Sequence, residues 1–181
     1  SNKPSVAVKK ERTPRTLARP GVLHTVLDGT AEVTVLSELL SDPTVYPLLS
    51  GQPDLYRAFM CQVWQHQSTR GISSLIHMET HFTDTKTPVL RSAAYRHLRR
   101  HWQFINELSL FDIKDNKRYG IHVYGRDQDP SFLHAASLYH PETVLRSLMH
   151  DGSGEEPGFK DPHTRTWDLR PHASRIQHIN E

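Results

Sequence analysis

Histidine is the residue type whose number and spacing could most readily support chemistry in this chain. The 181 residues include 13 histidines, and the pairs His77/His81 and His97/His101 are each separated by four positions. On a helix, that separation places two metal ligands on one face. However, His77 falls at the end of a predicted strand, and neither pair has an acidic third ligand or belongs to an H-E-x-x-H or C-x-x-C motif. We therefore expect surface and supporting histidines and no dedicated metal site.

The composition favours one domain with a hydrophobic core, and it bears on contact with nucleic acid, on the redox compartment and on membrane insertion. Hydrophobic residues make up 36% of the chain, and the formal net charge of +2 permits contact with nucleic acid without arguing for it. The lone Cys61 excludes an internal disulfide, fits a reducing compartment and is expected to be buried and inert. Because no apolar run reaches membrane-spanning length and no signal-peptide pattern is present, we expect a soluble cytoplasmic protein.

Hydrophobic periodicity predicts the helices and strands that would position these residues. Helices are expected over 31–40, from Asp54 to Trp64, after Thr87-Pro88, and over 141–149, and strands over 72–78, 102–108 and 118–125. A short turn would join the last two strands, which favours antiparallel pairing. The alternation predicts an α/β sheet with helices on its faces. Residues 1–30 mix basic residues with prolines and are expected to be an extended arm or linker, and residues 151–181 an irregular tail.

Four sequence blocks, taken in order, resemble the downstream half of an adenine-specific DNA methyltransferase domain of the large restriction-modification or phage-defence type. They are D-L-Y-R-A-F (54–59), G-I-S-S-L-I-H-M-E-T-H-F (71–82), L-R-R-H-W-Q-F-I-N-E-L-S-L-F (98–111) and R-Y-G-I-H-V-Y-G (118–125). The first block resembles the family's helix after the catalytic loop. The other three resemble the passages that hold its fifth, sixth and seventh strands. A further block, W-D-L-R-P-H-A-S-R-I (167–176), resembles the connection toward a DNA-recognition region.

The resemblance implies a fold, a cofactor and a reaction. Residues 31–150 would form the C-terminal half of the catalytic domain, a partial Rossmann-like methyltransferase sheet that ends in an antiparallel hairpin. Residues 151–181 would lead toward the DNA-recognition region. The complete enzyme would bind S-adenosylmethionine and DNA, flip an adenine out of the duplex and transfer a methyl group to its exocyclic amine.

The resemblance also suggests site residues, each of which has a structural alternative. Tyr56 and Phe59 would lie near the cofactor, or else they anchor the core as part of an amphipathic helix. Arg96, Arg99 and Arg100 would contact the DNA backbone from one helix, or else they belong to its solvated face. The sequence leaves both alternatives open.

The last expected strand carries two tyrosines, Tyr119 and Tyr124, that would contact the target base. Base stacking needs a flat, exposed ring beside the catalytic loop. Strand alternation puts Ile121 and Val123 on the face of Tyr119, and His122 on the face of Tyr124. At most one of the two tyrosines therefore shares the core side of the sheet.

Two motifs that perform the chemistry in this family are absent from the chain. A glycine-rich turn of the F-x-G-x-G type should follow a strand, whereas Gly152-Ser153-Gly154 follows a predicted helix. No N-P-P-Y or D-P-P-Y occurs, so the acceptors that hold the adenine amine in line would lie upstream of Ser1. We therefore expect an inactive segment of a larger enzyme, with the missing N-terminal half as its partner. The strand at 72–78 would then be an exposed edge, which either self-associates or is covered by the N-terminal arm.

Two other functions remain open. A non-catalytic DNA-binding or subunit-interaction module could keep half of the methyltransferase fold as a scaffold. A nuclease-associated domain is weaker, because no P-D…D/E-x-K pattern is evident. An upstream reading frame that encodes both missing motifs in phase would favour the enzyme.

Overall fold

The computed structural model describes residues 3–51, 54–158, 160–161 and 163–180. The chain divides into two compact units, Ser1–Pro47 and Leu48–Glu181. The division therefore falls at residue 47 and not at residue 30, where the sequence analysis placed the end of an arm. None of the described helices is both long and apolar enough to cross a membrane.

The first unit consists of two helices, α1 (Val6–Leu17) and α2 (Val22–Ser41). The Ser5 hydroxyl caps α1 by accepting a hydrogen bond from the Val8 amide. Residues 1–30 were expected to be an extended arm or linker, and the extended conformation was wrong, because α1 and the start of α2 are helical and α1 accommodates Pro14. The expected helix at 31–40 exists but begins nine positions earlier, after Gly21 in the left-handed conformation.

The second unit contains the predicted alternation of helices and strands. Its elements are α3 (Leu55–His66), β1 (Ser73–Met78), α4 (Thr80–Thr83), α5 (Pro88–His97), β2 (Leu98–Ile105), β3 (Arg118–Tyr124), β4 (Ser131–Leu138), α6 (Pro141–Ser147) and β5 (Gln177–Asn180). The expected helices after Asp54 and Thr87 and at 141 are confirmed, as are the strands at 72–78 and 118–125. Strand β2 begins four residues earlier than expected, and the sequence analysis missed β4 and β5.

The strands form one mixed five-stranded sheet in the order β1-β3-β2-β4-β5. Strand β3 is antiparallel to both β1 and β2, whereas β4 is parallel to β2 and antiparallel to β5. The α/β class and the antiparallel pairing of β2 with β3 are thus confirmed. The expected edge position of the strand at 72–78 is also confirmed, because β1 lies at one end of the described sheet.

The two faces of the sheet differ in chemistry. One face holds the apolar core, in which side chains of β2, β3 and β4 pack against α6 through Val144; its buried members are Trp102, Phe104, Tyr119, Ala135, Leu138 and Val144. Because side chains alternate along a strand, the neighbouring residues His101, Gln103 and His122 fall on the opposite face. Side chains from α3, α4 and α5 reach that second face, where Trp64 meets Tyr124 and Phe82 meets His101.

The expected irregular tail contains an ordered ion-pair cluster as well as β5. The carboxylate of Asp168 is 6% exposed and accepts hydrogen bonds from the Arg170 guanidinium at 2.7 and 3.0 Å. Arg175 donates to the Asp168 carbonyl oxygen at 2.8 Å. The hydrogen bonds from Arg170 hold the pKa of Asp168 below its ordinary value.

Strand β1 generates the first prediction, because an unpaired edge is a template for association. We expect concentration-dependent self-association, and we expect Ile76→Lys to reduce it, since Ile76 is 57% exposed on β1 and a charge there opposes strand pairing. Light scattering over a concentration series measures the effect. The control is Leu145→Lys, which adds the same charge at a 60% exposed position on α6 and should leave association unchanged. Equal association of both variants and the wild type would exclude β1 as the contact.

The second prediction concerns the pH dependence of stability. A carboxyl whose folded pKa is depressed stabilises the fold fully above its unfolded pKa, near 4, and loses that contribution as the pH falls toward the folded pKa. Asp168→Asn should therefore lower the unfolding free energy by about 1–3 kcal/mol at pH 7, and the difference should shrink at pH 3. Urea unfolding at both pH values measures it. Asp112→Asn, at an exposed carboxylate, is the control and should change stability little. A pH-independent effect of Asp168→Asn would contradict the ion-pair explanation.

A buried glutamate–histidine cluster as the candidate functional site

Glu79, His101 and His122 form a compact cluster of buried polar side chains. One ligand atom from each residue lies within 4.8 Å of the other two. The Nε2 atom of His101 is 2.5 Å from Glu79 Oε1, and the Nε2 atom of His122 is 3.5 Å from the same oxygen. His101 is 6% exposed, His122 0% and Glu79 9%. A carboxylate and two imidazoles therefore meet away from solvent.

The sheet register brings these residues together. His101 on β2 lies directly opposite His122 on β3, so their side chains leave the same face. Glu79 directly follows β1, at the start of α4, where the chain turns over that face. Gly120 lies two residues before His122 on β3, and a Cβ at this position would overlap Glu79 Oε1 and the His122 ring. Glycine therefore leaves the space into which the carboxylate fits.

Neighbouring side chains hold the cluster in place. The Gln103 amide donates to Glu79 Oε2 at 2.5 Å. The His77 ring stacks on His122 with centroids 3.9 Å apart and an interplanar angle of 5°. Both nitrogens of His77 have partners, namely the Met78 carbonyl oxygen at 2.9 Å and the Tyr124 hydroxyl at 3.1 Å. His77 thus supports His122 and has no free nitrogen of its own.

Two fully buried imidazoles have no hydrogen-bond partner among the described residues. Neither ring nitrogen of His81 or of His122 has a hydrogen bond, although both side chains are 0% exposed. The 3.5 Å separation between His122 and Glu79 is too long for a well-formed hydrogen bond. Leaving a buried polar group unpartnered costs about 1–3 kcal/mol, so such groups in a folded protein require an explanation.

Burial determines the charge states in the cluster. Desolvation, reinforced by the neighbouring histidines, lowers the pKa of His77 to about 3 and that of His81 to about 2. Burial also lowers the pKa of His122. For Glu79, burial favours the neutral acid, but the hydrogen bond from His101 and the nearby donors outweigh it and hold its pKa well below the ordinary value. At neutral pH the cluster therefore combines a carboxylate anion with neutral imidazoles at positions 77, 81 and 122.

A cavity of about 530 Å³ opens beside the cluster. Its wall includes Glu79, His101 and Gln103 on the polar side and the aromatic rings of Phe82, Tyr95 and Phe132 on the apolar side. Concave apolar pockets with a few convergent polar groups are the usual form of ligand sites. A molecule in this cavity would lie against the carboxylate and the His101 ring.

The structure separates the two residues that were expected near a cofactor. Tyr56 lies over the cluster, where its ring stacks on His77 with centroids 5.1 Å apart and its hydroxyl is 2.7 Å from Thr80 Oγ1. Phe59 is 63% exposed, so it is not the core anchor that the alternative explanation required. Cys61 is buried as expected, and burial raises the pKa of its thiol to about 11.

The two tyrosines expected to contact a target base are both buried. Tyr119 is 5% exposed and belongs to the apolar core, where it packs against Phe104 and Phe111. Tyr124 is on the opposite face, as alternation indicated, and is 0% exposed beneath Trp64. Neither ring presents the open face that base stacking needs in this conformation.

The three arginines expected to contact DNA do not form one helical stripe. Arg96 lies in the last turn of α5 and is paired with Asp127 at 2.7 Å and Asp129 at 3.3 Å. Arg99 and Arg100 lie in β2, contrary to the expectation that all three project from a helix. The Arg99 guanidinium donates hydrogen bonds to backbone carbonyl oxygens, including that of Leu98 at 2.9 Å. Arg100 is exposed. Replacing Arg99 would therefore remove structural hydrogen bonds as well as charge.

The sequence analysis missed the cluster although its signals were present. Glu79 lies between His77 and His81 and is the acidic residue that the search for a third ligand overlooked. The spacing of four does not build the cluster, because its two histidines, His101 and His122, lie on neighbouring strands. Strand alternation had placed His122 on the face of Tyr124 without showing which face is the core, and the register between β2 and β3 was missing.

The third prediction tests the close packing around Gly120. Gly120→Ala should lower the unfolding free energy by about 1–3 kcal/mol, because the added methyl group must displace Glu79 or His122. Urea unfolding measures the loss. Gly158→Ala is the matched control, since a Cβ there meets only ordinary contact at 3.7 Å, and it should be nearly neutral. A neutral Gly120→Ala would mean that the cluster is looser than the structure shows.

Comparison with known proteins adds no relative from which a function could be transferred. No protein-family model, no curated protein and no solved structure matches the chain. A function for this chain is therefore inferred from the geometry of the sheet and its cluster and from the sequence blocks that form them.

Proposed function

We propose that this chain is the C-terminal half of the catalytic domain of an S-adenosylmethionine-dependent DNA adenine methyltransferase of a restriction-modification or phage-defence system. The observation that carries the proposal is the position of β3, which lies between β1 and β2 and is antiparallel to both. The resemblance implies a methyltransferase sheet whose last two strands form an antiparallel hairpin, as β2 and β3 do here. The three strands coincide with the three blocks that resemble those passages.

The connections between the strands support the same proposal. Strands β1 and β2 both pair antiparallel with β3 and are therefore parallel to each other. Parallel strands need a crossover connection, and α4 and α5 supply it between Met78 and Leu98. Strands β4 and β5 continue the sheet beyond β2 and have no counterpart in the resemblance.

The described residues do not fit S-adenosylmethionine by themselves. Gly152 and Gly154 have φ angles of +82° and +93°, which explains glycine at both positions as turn residues. The turn follows α6 and not a strand, so it lacks the strand-to-helix context in which a glycine-rich turn holds the cofactor. The cofactor and the acceptors for the adenine amine would therefore come from the missing N-terminal half. The present segment would supply the scaffold on which that half completes its sheet.

DNA remains the proposed partner, and the cytoplasm the proposed compartment. Arg96 and Arg99 already have partners in the structure, which leaves Arg100 as the exposed member of the expected set. Contact with a DNA backbone by this segment would therefore be weak and salt-dependent.

A non-catalytic module for subunit interaction is the second candidate. The observation in its favour is the unpaired edge of β1, which a strand from another protein could extend. Such a module would use the edge for binding and would need neither cofactor nor DNA.

The fourth prediction tests the enzyme against the module. We expect the full-length product of the native reading frame to transfer tritiated methyl groups from S-adenosylmethionine to duplex DNA, with N6-methyladenine as the product identified by mass spectrometry. The 181-residue chain alone should neither methylate DNA nor bind the cofactor in a calorimetric titration.

The control substitutes the Pro-Pro pair of the upstream N-P-P-Y or D-P-P-Y motif in the full-length protein and should abolish transfer. A reading frame without these motifs in phase, together with no methylation by the full-length protein, would overturn the enzyme and leave the interaction module.

A further inference from the structure

We propose that Glu79, His101 and His122 bind one divalent transition-metal ion, of the Zn²⁺ class, at the floor of the cavity beside the sheet. Two imidazoles and one carboxylate are a ligand set suited to Zn²⁺, Fe²⁺ and related ions, whereas Mg²⁺ and Ca²⁺ prefer oxygen alone. The ligand atoms lie within 4.8 Å of one another on three separate elements. The inference does not depend on the methyltransferase proposal.

The unpartnered ring of His122 is the independent observation that points to a ligand. It is 0% exposed, neither of its nitrogens has a hydrogen bond, and its Nε2 atom lies 3.5 Å from Glu79 Oε1. A metal bond would satisfy that nitrogen, and a 2+ ion would neutralise the buried carboxylate. Stacking on His77 holds the ring in position for this role.

The surroundings have the second layer that metal sites require. Gln103 donates to Glu79 Oε2 at 2.5 Å, which fixes the carboxylate and leaves Oε1 directed toward the two histidines. The cavity contacts Glu79 and His101, so it offers a direction for a further ligand. Three protein ligands with an open position are typical of catalytic rather than structural zinc sites.

Metal binding requires movements of up to about 1.5 Å, because the ligand atoms of His101 and His122, which lie within 4.8 Å of each other, must approach to the tetrahedral spacing. With bonds of about 2.0–2.1 Å in tetrahedral geometry, neighbouring ligand atoms are about 3.3 Å apart. The separation of Glu79 Oε1 and His122 Nε2, 3.5 Å, already matches this value. Glu79 Oε1 and His101 Nε2 are 2.5 Å apart and would separate by about 0.8 Å as the metal replaces the proton between them. The displaced proton leaves to solvent, or His101 adopts the tautomer that carries hydrogen on Nδ1.

The fifth prediction is one tightly bound ion per chain. Untagged protein, stripped with a chelator and titrated with Co²⁺, should develop the intense visible bands of a four- or five-coordinate nitrogen/oxygen site. Zn²⁺ should displace the Co²⁺ and Mg²⁺ should not, and elemental analysis after Zn²⁺ loading and desalting should give one ion per chain. The melting temperature should rise with Zn²⁺ concentration.

Variants locate the ion. Glu79→Gln and His122→Gln should each weaken Co²⁺ binding by about 100-fold or more, because they remove direct ligands, and Gln103→Leu by about 10- to 100-fold, because it frees the carboxylate. His66→Gln is the matched control, since it removes an exposed histidine outside the cluster, and its Co²⁺ affinity should equal that of the wild type. Far-UV circular dichroism shows whether each variant folds.

Clear results would overturn the proposal. A Co²⁺ spectrum that stays that of the hydrated ion, or wild-type affinity in folded Glu79→Gln and His122→Gln, would show that the cluster is a hydrogen-bonded network without a metal. If Glu79→Gln and His122→Gln both fail to fold, the test uses the Co²⁺ spectrum of the wild type and the Co²⁺ affinity of Gln103→Leu. A hydrated-ion spectrum, or wild-type affinity in folded Gln103→Leu, would then overturn the proposal. Loss of binding in His66→Gln would place the ion at the surface.

Discussion

The ionised carboxylate of Glu79, buried between two strands, is the constraint on which the second unit depends. A buried charge is tolerated only when hydrogen bonds or opposite charge compensate it. The donors here come from β2, through His101 and Gln103, and the space comes from β3, through Gly120. A shift of β2 against β3 by one residue would turn His101 and Gln103 to the apolar face and leave the carboxylate without donors. The polar cluster therefore specifies the register that the apolar core stabilises.

The two faces of the sheet contribute differently: one stabilises the fold by hydrophobic burial, and the other specifies the strand register through polar contacts. The apolar face buries Trp102, Phe104 and Tyr119 against α6 and supplies hydrophobic burial, which tolerates many residues of similar size. The opposite face buries histidines whose hydrogen bonds are incomplete, and this opposes folding. A buried polar group without a hydrogen bond raises the free energy of the folded state. Binding of a metal or another ligand would offset part of that increase.

The sequence predicted the elements of the second unit better than the site they build. Periodicity located α3, α5, α6, β1 and β3, because each has a clear apolar pattern or a start signal such as Asp54 or Thr87-Pro88. Strands β4 and β5 escaped detection because S-F-L-H-A-A-S-L and Q-H-I-N lack strong alternation, and their pairing is specified by β2. The cluster required the register between strands far apart in sequence, which local spacing does not contain. The same limit explains why Arg99 was assigned to a helix. It lies in β2, which begins directly after α5 without an intervening turn.

Strand β1 links the two proposals physically. It is the unpaired edge where a missing half-sheet would continue, and its last residue directly precedes Glu79. In open α/β sheets, ligands bind beyond the carboxyl ends of the parallel strands, and Glu79 stands at the carboxyl end of β1. A strand added beside β1 would therefore lie next to the loop that carries the carboxylate. The cluster would then lie in the interior of the completed sheet. Because Glu79 directly follows the last residue of β1, a change in the pairing of β1 would shift the position of Glu79.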